Sequence, residues 1–133
     1  MKLYTHLNFG GNCEEAFRFY AKHLGGEITM MMRQKEMPGG PQGSPNAIAH
    51  ARLKLADTVL IGNDVPPAHF ERMRSVYLYL SMDSAEEVER VHALLAEGGE
   101  VYMPLEKTFF ASRFSMLRDR FGISWTLLHE LPR

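Results

Sequence analysis

The feature that most constrains this chain is that it contains the same pattern twice. Residues 14–28 read EEAFRFYAKHLGGEI and residues 86–101 read EEVERVHALLAEGGEV. The second copy has gained one residue between the Glu-Glu pair and the Gly-Gly-Glu triplet. Self-similarity at the front of each half marks a duplicated supersecondary unit. A chain of 133 residues has the length of one ordinary domain. The copies are therefore expected to be two modules, 1–66 and 67–133, that together form one structural domain.

Each copy predicts a helix with defined ends. Asn12 and Ser84 can accept hydrogen bonds from the free N–H groups of a first turn, and Glu15 and Glu87, three residues on, complete a capping box. Ala16, Phe19 and Tyr20, then Val88, Val91 and Leu95, recur at helical spacing. Gly25-Gly26 and Gly98-Gly99 permit the left-handed backbone that stops a helix. The Glu pairs read as structural, favoured by the positive end of the helix dipole. Period-two alternation predicts strands over 2–9, 27–33, 47–55 and 58–63, and again over 75–82, 100–103, 110–118 and 122–130. The order is βαβββ twice, an α+β arrangement with one helix per sheet. Residues 33–46 contain MPGGPQGSPN, which reads as a mobile loop inside the first module, and residues 64–74 read as the connection between modules.

Composition narrows the function classes. Apolar residues are 45% and charged residues 23%, the balance of a globular chain. A net charge of -1 argues against a nucleic-acid partner, which calls for a basic surplus. The single cysteine, Cys13, excludes an internal disulfide framework and a Cys-rich zinc site, so a reducing, cytoplasmic home is expected. No apolar run reaches the ~18 residues that span a bilayer, and MKLYTHLNF lacks the apolar stretch of a signal peptide. No membrane partner is expected.

The strands separate by parity. Leu3, Leu7 and Phe9, with Thr5 among them, should face the helix, leaving Tyr4, His6 and Asn8 on the opposite face. Leu78, Leu80 and Met82 oppose Tyr77, Tyr79 and Ser81 in the same way. In the third strand Ala49, Ala51, Leu53 and Leu55 should face in, with Ile48, His50, Arg52 and Lys54 facing away. In the last strand Ile123, Trp125 and Leu127 oppose Ser124, Thr126, Leu128 and Glu130. A purely solvated face would carry more Lys and Glu. Tyr, His, Asn, Ser and Thr suit a ligand-lining surface shared by both modules, the alternative being a sheet-to-sheet or dimer interface.

Candidate site residues follow from these faces. His6 and His50 can act as general acid or base, because an imidazole titrates near pKa ~6.5. Arg52 and Arg113 can hold an anionic ligand through forked hydrogen bonds. Phe109, Phe110 and Phe114 can wall an apolar pocket, and one of Met30, Met31 and Met32 should line it. The expected ligand-binding set is Tyr4, His6, Asn8, His50, Arg52, Tyr77, Tyr79, Phe110, Arg113 and Thr126. His6, His50 and Glu130 make an alternative two-His, one-carboxylate metal site. His23, His69, His92 and His129 read as packing or surface residues. Ser44, Ser75, Ser81, Ser112 and Cys13 lack a nucleophile motif, although a helix N-terminus can lower a thiol pKa.

The duplicated βαβββ pattern, NFGGNCEEAFRFY near the start and MPLEKTFFASRFSMLRDRFGISWTLL near the end resemble the vicinal oxygen chelate superfamily of glyoxalase, bleomycin-resistance and dioxygenase proteins. Within it they resemble the PhnB-like branch, also called demethylubiquinone methyltransferase-like. The resemblance implies curved mixed sheets around a cleft, a homodimer, and in many members a divalent metal held by His and Glu of strands one, four, five and eight. Those positions fall here at Tyr4 or Thr5, Ile61 or Gly62, Tyr77 and Thr126. Zinc, nickel and iron prefer imidazole or carboxylate donors, so no cofactor is expected at the usual site. Gly10-Gly11 lacks the third glycine of a nucleotide-binding turn, so a nucleotide-type methyl donor has no site either. The expectation is a metal-independent small-molecule-binding protein, its reaction open. The alternatives are a metal-dependent lyase, isomerase or dioxygenase with displaced ligands, and a non-enzymatic drug-binding or resistance protein.

Overall fold

Period-two alternation becomes two four-stranded mixed sheets in the computed structural model, which describes residues 1–39 and 43–132. The chain divides into two compact units, Met1–Glu71 and Arg72–Arg133. The first contains β1 (Thr5–Phe9), α1 (Cys13–Leu24), β2 (Glu27–Arg33), β3 (Ile48–Leu55) and β4 (Thr58–Asp64). Its strands lie in the order β1-β4-β3-β2, with β1 parallel to β4 and the other pairs antiparallel. The second contains β5 (Leu78–Ser81), α2 (Ala85–Ala96), β6 (Glu100–Glu106), β7 (Ala111–Arg118) and β8 (Ser124–Glu130). Its order, β5-β8-β7-β6, and its parallel β5–β8 pair repeat the first unit. The α+β fold of two similar βαβββ modules is thus the one expected from the repeat.

Strand ends differ from the expectation where a partner runs out. Both β1 and β5 begin about three residues later than alternation suggests, because β4 starts at Thr58 and β8 at Ser124. Leu3, expected inside, is 93% exposed beyond the end of the ladder. Conversely, β6 continues past Pro104 to Glu106. It is the edge strand and its register shifts twice along β7, which is where a sheet tolerates a residue lacking an N–H. Short 3-10 turns at Gln34–Glu36 and Pro67–His69 carry no periodic signal. Gly40, Pro41 and Gln42, within the stretch read as a mobile loop, lie outside the described residues.

Each helix buries one stripe on its own sheet. In α1 the stripe is Cys13, Ala16, Phe17 and Tyr20, one position round from the expected Phe19. Phe17 meets Phe9 edge to face at 5.8 Å, while Phe19 stacks at 4.5 Å on His23. Gly62 of β4 makes this packing possible, because a Cβ there would stand 2.6 Å from Phe17 Cζ. In α2 the stripe is Val88, Val91 and Leu95, as spaced in the sequence.

The caps differ between copies. Ser84 accepts the Glu87 N–H at 3.1 Å, as expected. Asn12 makes no side-chain cap among the described residues. Its place is taken from a distance by Asp64, whose Oδ1 accepts the Gly11 and Cys13 N–H groups at 3.1 and 3.0 Å. Asp64 Oδ2 accepts the Ile48 N–H at 2.8 Å, tying the start of β3 to the end of β4. Ile48, expected to face away, is buried. The register slips between Met32 and Arg33, a bulge that leaves Ala49 over and reverses the parity of Ile48. The last strand is buried on both faces: Ser124, Thr126 and Leu128 are as enclosed as Trp125 and Leu127.

Candidate functional site

In the first sheet the helix-facing positions are Leu7, Phe9, Ala51, Leu53 and Leu60, all buried. The opposite face carries a row across all four strands, His6 opposite Ile61, Ile61 opposite Arg52, and Arg52 opposite Met30. Asn8 lies opposite Asn63, and His50 opposite Met32, one step along. Five of the expected ligand residues, Tyr4, His6, Asn8, His50 and Arg52, therefore belong to this single unit.

Polar contacts hold two imidazoles in place. His6 Nε2 lies 2.5 Å from Asn63 Oδ1. With that oxygen as acceptor, Nε2 carries the proton and the neutral ring keeps a lone pair on Nδ1. Arg52 Nε–H donates to His50 Nε2 at 3.3 Å, so in the neutral ring His50 carries its proton on Nδ1. The same guanidinium carbon stands 5.7 Å from the centre of the Tyr4 ring. One face thus offers an acceptor nitrogen, an N–H donor and a cation. For Asn63 the only sequence signal is its shared parity with Ile61 in the run VLIGND.

The second sheet carries the other expected residues. Tyr79 lies opposite Thr126, which lies opposite Met116. The Tyr79 hydroxyl donates to Glu130 Oε1 at 2.9 Å. Phe110 packs edge to face on Phe109 at 5.1 Å and on Phe114 at 5.5 Å. Tyr79, Phe109, Phe110 and Glu130 border a cavity of about 420 Å³. Thr126 is only 6% exposed. Arg113 departs from the expectation. It shares parity with Ser115, whose hydroxyl lies 2.8 Å from His92 Nδ1 on α2, and it pairs with Glu89 of α2 at 3.0 Å. Arg113 therefore belongs to the helix side, not to the face of Tyr79 and Thr126. Tyr77 is also committed locally, accepting from Arg74 at 2.6 Å.

The residues present do not fit a glyoxalase-type metal. The four equivalent positions offer phenols, hydroxyls or hydrocarbon, which bind divalent metals weakly. The alternative trio fares no better: among the described residues no three His, Cys, Asp or Glu side chains converge to hold a metal. His6 and His50 face one sheet, whereas Glu130 is engaged by Tyr79.

Three titratable groups near the helices have structural roles. Burial, reinforced by the Asp64 and Glu14 carboxylates, pushes the Cys13 thiol far up, so it stays neutral despite its helix N-terminus. Burial pushes His92 down. Glu14 is drawn down to about 2 by hydrogen bonds from Arg33 and Arg18. Arg33 grips it in a two-pronged pair at 2.8 and 3.0 Å, joining α1 to the end of β2. A carboxylate lowered on folding contributes stability that is present above its unfolded value, about 4.5, and is lost as pH falls towards 2. Urea midpoints of wild type and Glu14→Gln should therefore differ at pH 6 and converge by pH 2; a constant gap would show that the pair contributes nothing.

The sequence pattern of the family described as 3-demethylubiquinone-9 3-methyltransferase matches residues 1–128. Protein YjdN of Escherichia coli (strain K12) is 30% identical over 138 residues, covering 96% of this chain and 94% of that protein. The crystal structure of PA1353 from Pseudomonas aeruginosa aligns with a TM-score of 0.90 at 40% identity, covering 98% of each chain. A Bacillus cereus structure described as a putative 3-demethylubiquinone-9 3-methyltransferase, PhnB protein, aligns at 0.85 with 30% identity, covering 97% of this chain and 99% of its own. The fold alone recurs, at 15% identity and a TM-score of 0.67, in a glyoxylase/bleomycin resistance protein/dioxygenase domain from Frankia sp. EAN1pec, covering 98% of each chain. Together with the paired βαβββ sheets, these matches show that the chain belongs to the PhnB-like, 3-demethylubiquinone-9 3-methyltransferase family and shares the glyoxalase-like fold.

Proposed function

We propose that the chain binds a small organic molecule on the polar face of its first sheet, through Tyr4, His6, Asn8, His50 and Arg52. The observation that carries this is the fixed pair of imidazoles, His6 on Asn63 and His50 on Arg52, presented on one sheet face. Asn63 and Arg52 orient the rings, so the cost of ordering them is met before a ligand arrives. Met30 and Met32 on the same face supply adaptable apolar contact. The arrangement suits a ligand with a carbonyl or hydroxyl for the imidazoles and a negative or aromatic group for Arg52 and Tyr4. Tyr79, Phe110 and Thr126 form a second candidate face in the other unit. Methyl transfer is not part of this proposal. The Gly10-Gly11 turn leads into α1, and Asp64 already engages the N–H groups of Gly11 and Cys13, which places a carboxylate where an anionic group of a donor would have to bind.

Thermal shift against a panel of small carbonyl and hydroxy acids tests the proposal. A ligand at a hundred times its Kd should raise Tm by about 10 °C, since it adds ~2.7 kcal/mol by mass action. In the variant His6→Ala/Arg52→Ala, with its unliganded Tm kept, the same ligand should bind at least tenfold more weakly. Hits that stabilise this variant as much as wild type would refute the assignment. Product analysis with a confirmed ligand separates turnover from binding alone.

A further inference from the structure

The second unit holds a cluster of arginines that the histidine face does not use. Arg72, Arg74 and Arg118 border a cavity of about 400 Å³ with Met73, Glu100 and Tyr102. Like charges gather in one cavity at an electrostatic cost, and here only one carboxylate, Glu100, is among the lining residues. Three guanidinium charges against one carboxylate leave a surplus of two.

Arg72 and Arg74 lie on the surface, but their neighbours fix the geometry of the cluster around the half-buried Arg118. The Arg118 side chain is only 13% exposed, and its side-chain partner, the exposed Glu100, touches it through one contact of 3.2 Å. Most of its fork is left for another acceptor. Arg74 lies 4.0 Å over the Tyr102 ring while donating to the Tyr77 hydroxyl at 2.6 Å, which fixes the plane of its guanidinium. Tyr77 packs in turn on Tyr102, with ring centres 6.2 Å apart. The segment carrying Arg72 and Arg74 is pinned at its middle, where Met73 Sδ accepts the Ser124 N–H at 3.3 Å. Arg72 makes no hydrogen bond, ion pair or ring contact through its side chain among the described residues. The Tyr102 hydroxyl is buried and has no hydrogen-bond partner among the described residues, so its ring serves the site as the platform under Arg74.

The geometry points to a binding site for a dianionic phosphoryl group, held by Arg72, Arg74 and Arg118. A carboxylate brings one charge and two oxygens, too few for three forked donors. A terminal phosphoryl group brings nearly two charges and three acceptor oxygens, which matches both the surplus and the donor count. Arg72 is the cation free to close on the ligand, and Arg118 is the buried base of the site.

Calorimetric titration with phenyl phosphate, with sulfate and benzoate as companions, tests the inference at fixed ionic strength. The inference expects saturable one-to-one binding of phenyl phosphate and sulfate, with benzoate at least tenfold weaker. Phenyl phosphate should bind more tightly as pH rises through its second ionisation near about 6, whereas sulfate binding stays flat. Arg72→Ala, which removes an unpaired side chain and should fold normally, should weaken phenyl phosphate at least tenfold; Arg118→Lys should weaken it further. Equal affinity for benzoate, the same pH profile for both anions, or an unaffected Arg72→Ala would each overturn it. Loss of binding on His6→Ala would place the phosphoryl group on the other face and overturn it equally.

Discussion

Asp119→Ala is expected to cost roughly 4 kcal/mol of stability, the largest single-site loss in the second unit. Asp119 is almost completely buried, yet its carboxylate is fully used. Oδ1 accepts the N–H groups of Phe121 and Ile123 at 2.9 and 3.0 Å, and Oδ2 accepts Trp125 Nε1–H at 2.9 Å. Alanine leaves these donors buried without an acceptor, and each such group costs about 1–3 kcal/mol. The turn into β8 and the placement of Trp125 depend on the same carboxylate. Asp119→Asn, which keeps one oxygen, should lose about half as much. Urea unfolding followed by fluorescence of Trp125, the chain's single tryptophan, reads the effect directly. An alanine variant with the wild-type midpoint would show that the turn holds without its carboxylate.

Gly99→Ala should cost about 3 kcal/mol, through overpacking that cannot relax. A Cβ at Gly99 would lie 2.2 Å from the Arg118 carbonyl oxygen and 3.1 Å from Asp119 Cα. Both are backbone atoms of the neighbouring turn, so no side chain can swing aside and β6 would have to leave β7. Gly43 provides the contrast, since an added Cβ there meets nothing within 4 Å. Its alanine variant should unfold with the wild-type midpoint. If the two variants unfold alike, the close approach of β6 to β7 does not govern stability.

These two sites show where the sequence is legible and where it is not. The Gly-Gly-Glu triplets are visible as helix stops, and Gly25 and Gly98 do take left-handed backbone at φ 76° and 74°. The second glycine of each triplet serves a different purpose, close approach to a neighbouring strand, which only the fold reveals. Local signals were equally readable at Ser84, whose acceptor and donor lie three residues apart. Asp64 and Asp119 were not readable as caps and turn locks, because their carboxylates serve backbone groups chosen by tertiary contact.

The faces follow the same division. Alternation placed His6, Asn8, Arg52 and His50 on one side of the sheet, because a period of two survives wherever the ladder is regular. It failed at Ile48, where a bulge inserts one residue and reverses the parity. Arg113 suits an anionic ligand by its chemistry, but its position in β7 sends it to Glu89 on the helix. The arginine cavity has no signature in the sequence. Arg72 and Arg74 meet Arg118 only because Met73 anchors their segment to the start of β8.

The most direct test of ligand binding on the first sheet is a backbone and imidazole chemical-shift map recorded during titration with a stabilising ligand. The largest changes should fall at His6, His50, Arg52 and Asn63, with the ring nitrogens of both histidines shifting in step with occupancy. Saturable binding that leaves those four residues unmoved would contradict the account.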